Sequence, residues 1–396
     1  MNAASANPGA GPSGRMPVGQ YNDLARKQLI AQSIRKKQLI YTFTGDPATI
    51  NNTINIGGNY IRMAGLLTRF IVEVEGTFAD STGGTPTATE IGAANLLSNV
   101  QFTDLQNNQR HNCSGAQLAL TSCIKRHYPW LTSFTEAQKP FFGPATAPPI
   151  VTLTAPTTTT TGSARCVYEI PVSISNYDLT GAIFLGVYGA QLSLQLQINP
   201  NPCPAAGDNT FSVFSGFAST ISIVTVKVYQ EYYDQLPMVN GAYQLPPLDI
   251  STVYQLTYTN FTNLTANQDY YIPYANYRKY LSQSIIYNNS GTSGGLSSDG
   301  SDIDYLALVT ANFTNIFKVG PLEQKRLMRE QNMTDLFEGL YVFKTYDKPV
   351  DTQNYGNMQL DINPITAGAS AYAYVMSEFI AYQNQIAQAP SLPANK

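Results

Sequence analysis

The sequence predicts an all-β protein made of β-sandwiches, and three observations support that prediction. Short apolar stretches with strand periodicity recur along most of the chain, long loop-forming segments separate them, and the composition includes 26 Tyr with abundant Thr, Asn and Gln. Charged residues make up 12% of the chain, about half of the roughly 25% in an average protein. Because 43% of the residues are hydrophobic, the chain can fill a core. Its neutral polar surface suits burial in an assembly.

The N-terminal segment differs from the rest of the chain. Residues 1–19 are rich in Ala, Gly, Pro, Ser and Asn and predict a flexible arm, with no apolar core typical of a secretory signal. Gln20–Leu39 contains neither Pro nor Gly, and Ile30 and Ile34 lie one turn apart, which predicts a helix. No apolar run approaches the ~20 residues that span a bilayer. We therefore expect synthesis in a cytosol.

Positive charge is concentrated in this segment. Six basic residues and one acidic residue give residues 1–40 a charge of +5, and the remainder of the chain carries −8. With a formal net charge of −3, a strongly basic nucleic-acid-binding protein is excluded and no sequence-specific nucleic acid is expected. An ordinary solvated helix explains the segment equally well. The basic residues of the predicted helix are Arg26, Lys27, Arg35, Lys36 and Lys37.

Strand signals dominate from residue 40 onward. Apolar and polar residues alternate at 70–75 and at 192–198, which predicts half-buried strands. Ile221–Val228 is apolar at nearly every position, a pattern typical of a strand buried on both faces. Further alternation occurs at 340–343, 358–362 and 372–376. Short strands with long loops favour sandwiches over a βαβ fold. Two helices are predicted among them, at Asp178–Val187 and Leu322–Phe337.

A domain boundary is predicted between Leu236 and Leu248. Its three prolines cannot donate hydrogen bonds to a sheet, and Asn240-Gly241 favours a turn. The predicted organisation is a flexible arm at 1–19, a basic helix at 20–39, a first β domain at 40–236, a linker at 237–250 and a second β domain with a C-terminal tail at 251–396.

Motifs that carry chemistry are weak. Gly9–Gly14 matches a dinucleotide fingerprint by letters but follows no strand, and a nucleophile elbow at Ser293 has no histidine after it. Lys125–Trp130 places two cations beside aromatic rings and favours a surface loop over an anion or nucleic-acid site. A glycosidase pair of carboxylates stays open, because 26 acidic residues are present. No enzyme activity, catalytic residue or cofactor is predicted.

Metal and disulfide chemistry also have little support. Four cysteines form no C-x-x-C pair, which favours free buried thiols, and two histidines are too few for a cupin-type metal set. Asp299, Asp302 and Asp304 favour a loop turn, because the glycine and the distal glutamate of a calcium loop are missing. Whether these three aspartates bind an ion stays open at this point.

The strongest information is an ordered series of matches. Tyr229–Pro237, Asn240–Tyr243 and Leu248–Tyr254 resemble the inter-domain segment of the tectivirus major capsid protein, the coat protein of tailless icosahedral phages with an internal membrane. Weaker matches follow the same order, including Asn108–His111 and Asp302–Leu306. The inter-domain residues that we select are Tyr229, Asp234, Pro237, Asn240, Gly241, Pro246 and Asp249.

The resemblance implies a double jelly roll, with two eight-stranded sandwiches side by side in one chain, an N-terminal helix and short helices in loops. It implies a capsid protein of the virion that forms pseudo-hexagonal homotrimers, which tile an icosahedral shell around an internal membrane. Implied partners are further copies of the chain, vertex and minor capsid proteins, and the membrane, which the basic helix would contact peripherally. A carbohydrate-binding or receptor-binding β-sandwich protein is the alternative.

Overall fold

The computed structural model describes most of the chain. The predicted features that lie outside the described residues are the arm up to residue 17, both glycine-rich motifs, Asp299 and the tail after residue 382. The described residues are 18–79, 83–84, 86–126, 152–186, 191–204, 210–216, 218–290, 296, 301–310, 315–332, 338–345, 347–355 and 357–382.

The part of the chain before the predicted linker begins with a helix and continues mainly as strands. Its elements are α1 (Val18–Gln32), β1 (Ile34–Gly45), β2 (Thr53–Ile56), β3 (Leu66–Phe78), β4 (Thr87–Ala88), β5 (Leu97–Thr103), β6 (Gln109–Cys113), α2 (Gly115–Arg126), β7 (Thr152–Thr154), β8 (Gly162–Pro171), β9 (Ile183–Phe184), β10 (Ser193–Ile198), β11 (Phe214–Ser215) and β12 (Ile221–Asp234). Short 3₁₀ helices occupy Pro47–Ile50 and Gly92–Leu96.

The linker and the remainder of the chain repeat this mixture of long strands and short helices. The elements are β13 (Met238–Val239), β14 (Ala242–Tyr243), α3 (Pro247–Ser251), β15 (Thr252–Thr262), β16 (Tyr270–Pro273), β17 (Arg278–Asn288), β18 (Ile303–Thr310), β19 (Asn315–Val319), α4 (Pro321–Asn332), β20 (Leu340–Lys344), β21 (Val350–Asp351), α5 (Thr352–Tyr355), β22 (Met358–Pro364) and β23 (Tyr372–Tyr382).

The strands form two sandwiches. In the first sandwich, a sheet of order β1-β12-β3-β8-β7, with β9 beside β3, packs against β2-β10-β5-β6. The rings of Phe70 and Phe102 meet across that interior with centroids 5.6 Å apart. In the second sandwich, β15-β23-β17-β20 packs against β16-β22-β18-β19, and a separate core includes Ile285, Leu306 and Leu360. The first sandwich thus has six strands in one sheet and four in the other, and the second has four in each sheet apart from the short β21.

One sheet runs through both sandwiches. Strand β6, the last of the first sandwich, pairs in parallel with β15, the first of the second, at His111↔Leu256 and Asn112↔Thr257. This pairing makes β2-β10-β5-β6-β15-β23-β17-β20 one sheet of nine strands, counting β21 beside β17. The two halves are therefore fixed side by side through the backbone hydrogen bonds of a shared sheet.

Several predicted elements are confirmed by the structure. Phe70, Val72 and Val74 are buried on β3, and Leu194 and Leu196 are buried on β10, as the alternation predicted. The predicted helix in the last third is α4 over its described part. The prediction of free thiols is confirmed for Cys113 and Cys166, which are buried and form no disulfide.

Other predictions are wrong and are corrected here. The N-terminal helix ends at Gln32, and Arg35, Lys36 and Lys37 lie on β1. Strand β1 pairs with β12 along its length, from Ile34↔Asp234 to Gly45↔Val224, and this ladder outweighs the helix propensity of Lys and Arg. Strand β12 is not buried on both faces, since Ile223 is 50% exposed.

The helix predicted at Asp178–Val187 is also wrong. Its described residues form turns and the short strand β9, and Gly181 there has a φ of 91°, which a right-handed helix excludes. Helix α2 was not predicted at all. Its signal is Ser114, whose hydroxyl accepts from the backbone N–H of Gln117 (3.1 Å) and caps the helix. Within the described residues, no helix is both long and apolar enough to cross a membrane.

Candidate functional site: the junction of the two sandwiches

His111 lies at the junction, on the strand that joins the two sandwiches. It is fully buried; its Nδ1 accepts from the backbone N–H of Leu256 (3.1 Å), and its Nε2 lies 2.5 Å from the carbonyl oxygen of Pro171. Because Nδ1 accepts, Nε2 carries the proton and donates to Pro171, so the ring is neutral. Burial lowers the pKa of His111 to about 3, which is consistent with this tautomer.

The loop between β8 and β9 is held from both sides of the junction. Arg110, paired with Asp104 (2.9 Å), also donates to the carbonyl oxygen of Gly181 (2.5 Å), and the N–H of Gly181 donates to the carbonyl oxygen of Asp249 (2.7 Å). A Cβ on Gly181 would lie 2.7 Å from the Cβ of Tyr254. Only glycine fits this close approach at a positive φ.

Helix α2 belongs to the first sandwich but docks on the second. The ammonium of Lys125 donates to the Tyr254 hydroxyl and pairs with Glu378, both at 2.6 Å. The Tyr254 hydroxyl in turn donates to Glu378 (2.6 Å), and Ser282 donates to the other oxygen of that carboxylate (2.7 Å). The buried carboxylate of Glu378 therefore has a partner on each oxygen.

Helix α1 packs on the linker through two predicted site residues, Arg26 and Asp249. The Arg26 guanidinium donates two hydrogen bonds to the carboxylate of Asp249, at 2.7 and 2.9 Å, and Asn22 donates a third at 3.0 Å. The Asn22 side chain also accepts from the N–H of Leu248 (2.9 Å). The hydrogen bond with Asp249 raises the pKa of Arg26. Sequence reasoning selected both residues but did not bring them together.

The other predicted basic residues divide into paired and exposed groups. Arg35 pairs with Glu231 (2.5 Å), and Lys36 pairs with Asp234 (2.6 Å), which lowers the pKa of Asp234. Lys37 lies 4.3 Å above the centroid of the Tyr229 ring. Lys27 on α1 is exposed and has no ion-pair partner among the described residues. Most of this positive charge is therefore already matched within the chain.

The remaining linker residues form local structure. Asn240 and Gly241 have φ values of 51° and 80° and make the tight turn between β13 and β14. Pro246 is the residue before α3, where it has an extended backbone conformation. Pro237 accepts through its carbonyl oxygen from the N–H of Gln244 (2.9 Å), which closes the hairpin. The turn predicted at Asn240-Gly241 is present.

No arrangement of metal ligands is evident near the acidic loop. Asp302 is buried and its carboxylate accepts from the amide of Asn289 (2.9 Å), whereas Asp304 is exposed on β18. Among the residues that the structure describes, no three His, Cys, Asp or Glu side chains form a group that could hold a metal ion. The buried polar groups of the junction hold the two sandwiches and helix α1 together.

Comparison with known proteins decides the family. The family described as P3 major capsid protein N-terminal matches residues 36–236, and the family described as P3 major capsid protein C-terminal matches residues 251–393. The chain belongs to the P3 major capsid protein family. A curated relative is major capsid protein P3 of Enterobacteria phage PRD1, 29% identical over 378 residues that cover 93% of each chain. This capsid protein is thus a structural component of the virion, and it is not an enzyme.

Solved structures support the fold. The chain from the atomic structure of Sulfolobus Turreted Icosahedral Virus has a TM-score of 0.61 at 12% identity, with 88% of this capsid protein and 91% of that chain covered. The Faustovirus major capsid protein has a TM-score of 0.51 at 9% identity, with coverage of 88% and 90%. At such low identity the likeness concerns architecture. The predicted double jelly roll is confirmed.

Proposed function

We propose that three copies of this capsid protein form a pseudo-hexagonal trimer and that trimers tile an icosahedral shell around an internal membrane. The observation that carries this proposal is the pair of sandwiches that one sheet holds side by side. Two similar flanks on each chain give six flanks on a threefold trimer, which suits a hexagonal lattice. Vertex and minor capsid proteins would contact the edges of this lattice, and synthesis would take place in the host cytoplasm.

Sedimentation of the purified full-length protein tests the trimer. One chain has a mass of 43.2 kDa, so we expect a single species of about 130 kDa at micromolar concentration, as closed cyclic assembly requires. A stable 43.2 kDa monomer under those conditions would contradict the proposal. Low-resolution images of the same sample should show a particle with a hexagonal outline.

The proposed organisation keeps residues 237–250 as the linker between a first domain at 40–236 and a second at 251–396. Helix α1 lies against this linker through Arg26 and Asp249. The basic surface proposed to approach the membrane therefore consists mainly of Lys27 and Lys37, which are exposed. Tyr21 and Leu24 on α1 are 38% and 42% exposed and would add apolar contact. Each lysine near an anionic surface contributes about 1 kcal/mol.

Vesicle flotation tests the membrane contact. The doubly substituted protein Lys27→Gln/Lys37→Gln should float less with anionic vesicles than the unsubstituted protein does, because two charges contribute about 2 kcal/mol together. Lys227→Gln removes an exposed lysine from the outer face of β12 and is the matched control. Equal flotation of all three proteins would remove the membrane role of these residues.

A further inference from the structure

A cleft of about 830 Å³ opens between the two sandwiches. One wall is β8 and the loop that follows it, the opposite wall is the end of β20 and its following loop, and helix α2 lies between them. Pockets of 300–1,000 Å³ at the contact between domains are the usual place for small-molecule sites. The capsid architecture proposed above assigns no role to this cleft.

Several charged groups in the lining of the cleft are balanced by ion pairs. The guanidiniums of Arg35 and Arg69 share the carboxylate of Glu231, at 2.5 and 2.8 Å, and Arg69 also pairs with Glu169 at 2.8 Å. Lys125 pairs with Glu378. Two guanidiniums therefore face two carboxylates, and one ammonium faces one carboxylate. These pairs therefore leave no excess charge on the three cations.

The rim has more positive than negative charge. Lys344, which is half-buried, and Lys348, which is exposed, line the cleft together with the single carboxylate of Asp347. Burial lowers the pKa of Lys344 despite the attraction of Asp347 and Glu378. An anion bound beside Lys344 and Lys348 would stabilise the charged form of the Lys344 ammonium.

Helix α2 presents neutral donors to the same space. Thr121 is only 8% exposed and lines the cleft, and its hydroxyl makes no hydrogen bond with any described residue. The neighbouring Ser122 also lines the cleft, and its hydroxyl makes no hydrogen bond with any of the described residues. Both hydroxyls therefore line the cleft as donors for an acceptor atom of a bound molecule.

We propose that this cleft binds a small molecule that carries a phosphate group, held by the ammonium groups of Lys344 and Lys348 and by the hydroxyls of Thr121 and Ser122. A phosphate offers three or more acceptor oxygens in a tetrahedral arrangement, which several separate donors can share. Lysine binds phosphate as a point charge. The phosphate belongs either to a soluble compound or to a lipid headgroup.

Calorimetric titration of the full-length protein with glycerol 3-phosphate tests the proposal. At low ionic strength we expect saturable binding with one site per chain, because surface charge is then least screened. Lys344→Gln/Lys348→Gln should weaken binding at least about tenfold, and Thr121→Val, which keeps the side-chain shape, about fivefold, as for the loss of one neutral hydrogen bond. Lys227→Gln is the matched control and should bind as the unsubstituted protein does.

Phosphatidylglycerol vesicles distinguish the two sources of phosphate. Flotation that depends on Lys344 and Lys348, without binding of glycerol 3-phosphate, assigns the site to a lipid headgroup, and the reverse assigns it to a soluble compound; both support the proposal. Two results overturn it: no saturable binding of either probe, or equal weakening by the cleft substitutions and by Lys227→Gln. Thermal unfolding of each variant confirms that it is folded.

Discussion

The backbone N–H of Leu256 donates to Nδ1 of His111, so a side chain of the first sandwich satisfies a backbone donor of the second. The opposite ring nitrogen donates to the carbonyl oxygen of Pro171. A fully buried imidazole with one accepting and one donating nitrogen has both positions satisfied only while it is neutral. The contact between the two sandwiches therefore depends on the protonation state of one histidine.

We predict that the free energy of unfolding falls as the pH is lowered from about 6.5 towards 3. The pKa of His111 is about 3 in the folded protein and about 6.5 in an unfolded chain. The unfolded state thus binds more protons in this range, which lowers the free energy of unfolding by about 5 kcal/mol across it. Denaturant unfolding at several pH values measures this loss.

The second histidine of the chain provides the control for this prediction. In His111→Gln the pH-dependent loss should shrink, and stability near pH 7 should fall by about 1–3 kcal/mol because the N–H of Leu256 is left without its acceptor. His127→Gln should retain the pH dependence of the unsubstituted protein. If both variants show the same profile, His111 is not the responsible group.

Loss of the ion pair between Arg26 and Asp249 should release helix α1 from the linker. Asp249 is 1% exposed and accepts from Arg26 and Asn22. Asp249→Asn leaves the guanidinium without its buried partner, which costs about 3 kcal/mol. Hydrogen exchange over residues 18–32 should become faster, and the midpoint of thermal unfolding should fall.

The matched control for this ion pair is Asp23→Asn. The carboxylate of Asp23 lies 3.7 Å from Arg26, but its side chain is 67% exposed. Solvent screening reduces such a contact to less than about 1 kcal/mol. Protection of α1 from exchange should therefore be unchanged, and a loss equal to that of Asp249→Asn would contradict our assignment.

Gly181→Ala and Gly241→Ala should differ in their effects, although both glycines have a positive φ, of 91° and 80°. A Cβ at position 181 would lie 2.7–2.8 Å from Tyr254 and from the carbonyl oxygen of Val172, whereas a Cβ at 241 meets nothing within 4 Å. We expect about 1 kcal/mol of backbone strain at position 241 and at least about 2 kcal/mol more at 181. If urea unfolding shows equal losses of stability for the two variants, the loop at the junction moves to accommodate the added Cβ and our expectation is wrong.

Asp361→Asn should stabilise the second sandwich at neutral pH. The hydroxyl of Tyr305 lies 2.8 Å from Oδ1 of Asp269 and 3.2 Å from Oδ2 of Asp361, and one phenol proton cannot serve two carboxylates. Asp361 is 5% exposed, and its other oxygen has no hydrogen-bond partner in the part of the chain that the structure describes. Burial, with repulsion from Asp269, raises the pKa of Asp361 despite the Tyr305 hydrogen bond and the attraction of Lys318.

The direction of the pH effect follows from the raised pKa. The contribution of Asp361 is present below its unfolded pKa of about 3.9 and is lost as the pH rises through the higher folded pKa. We therefore expect the Asn variant to gain about 1 kcal/mol at pH 7 and nothing at pH 3. Asp304→Asn, on the exposed side of β18, is the control and should change little at either pH.

Sequence periodicity was sufficient for strands whose two faces differ. Strands β3 and β10 have one buried and one more exposed face, and apolar and polar side chains alternate along them accordingly. Periodicity was insufficient for β12, because Ile223 is apolar but exposed. An apolar side chain on the outer face of a sheet contributes to the pattern whether or not the chain itself covers it.

The errors at the N-terminus and in the junction have a common physical cause. Residues 34–39 form a strand because β12, almost 200 residues later in the chain, offers a complete ladder, and local propensity contains no record of a distant partner. The same limit applies to Arg26 and Asp249, which were selected separately and meet only in the fold. The resemblance supplied the arrangement of the two sandwiches, which periodicity does not encode.

The parallel pairing of β6 with β15 has a mechanical consequence. A chain whose halves were tethered only by the linker could flex like a hinge, but backbone hydrogen bonds across the junction oppose bending there. Each protomer then behaves as a stiff plate. Curvature in anything assembled from such plates has to arise at the seams where separate molecules meet, through changes in the angle between neighbours.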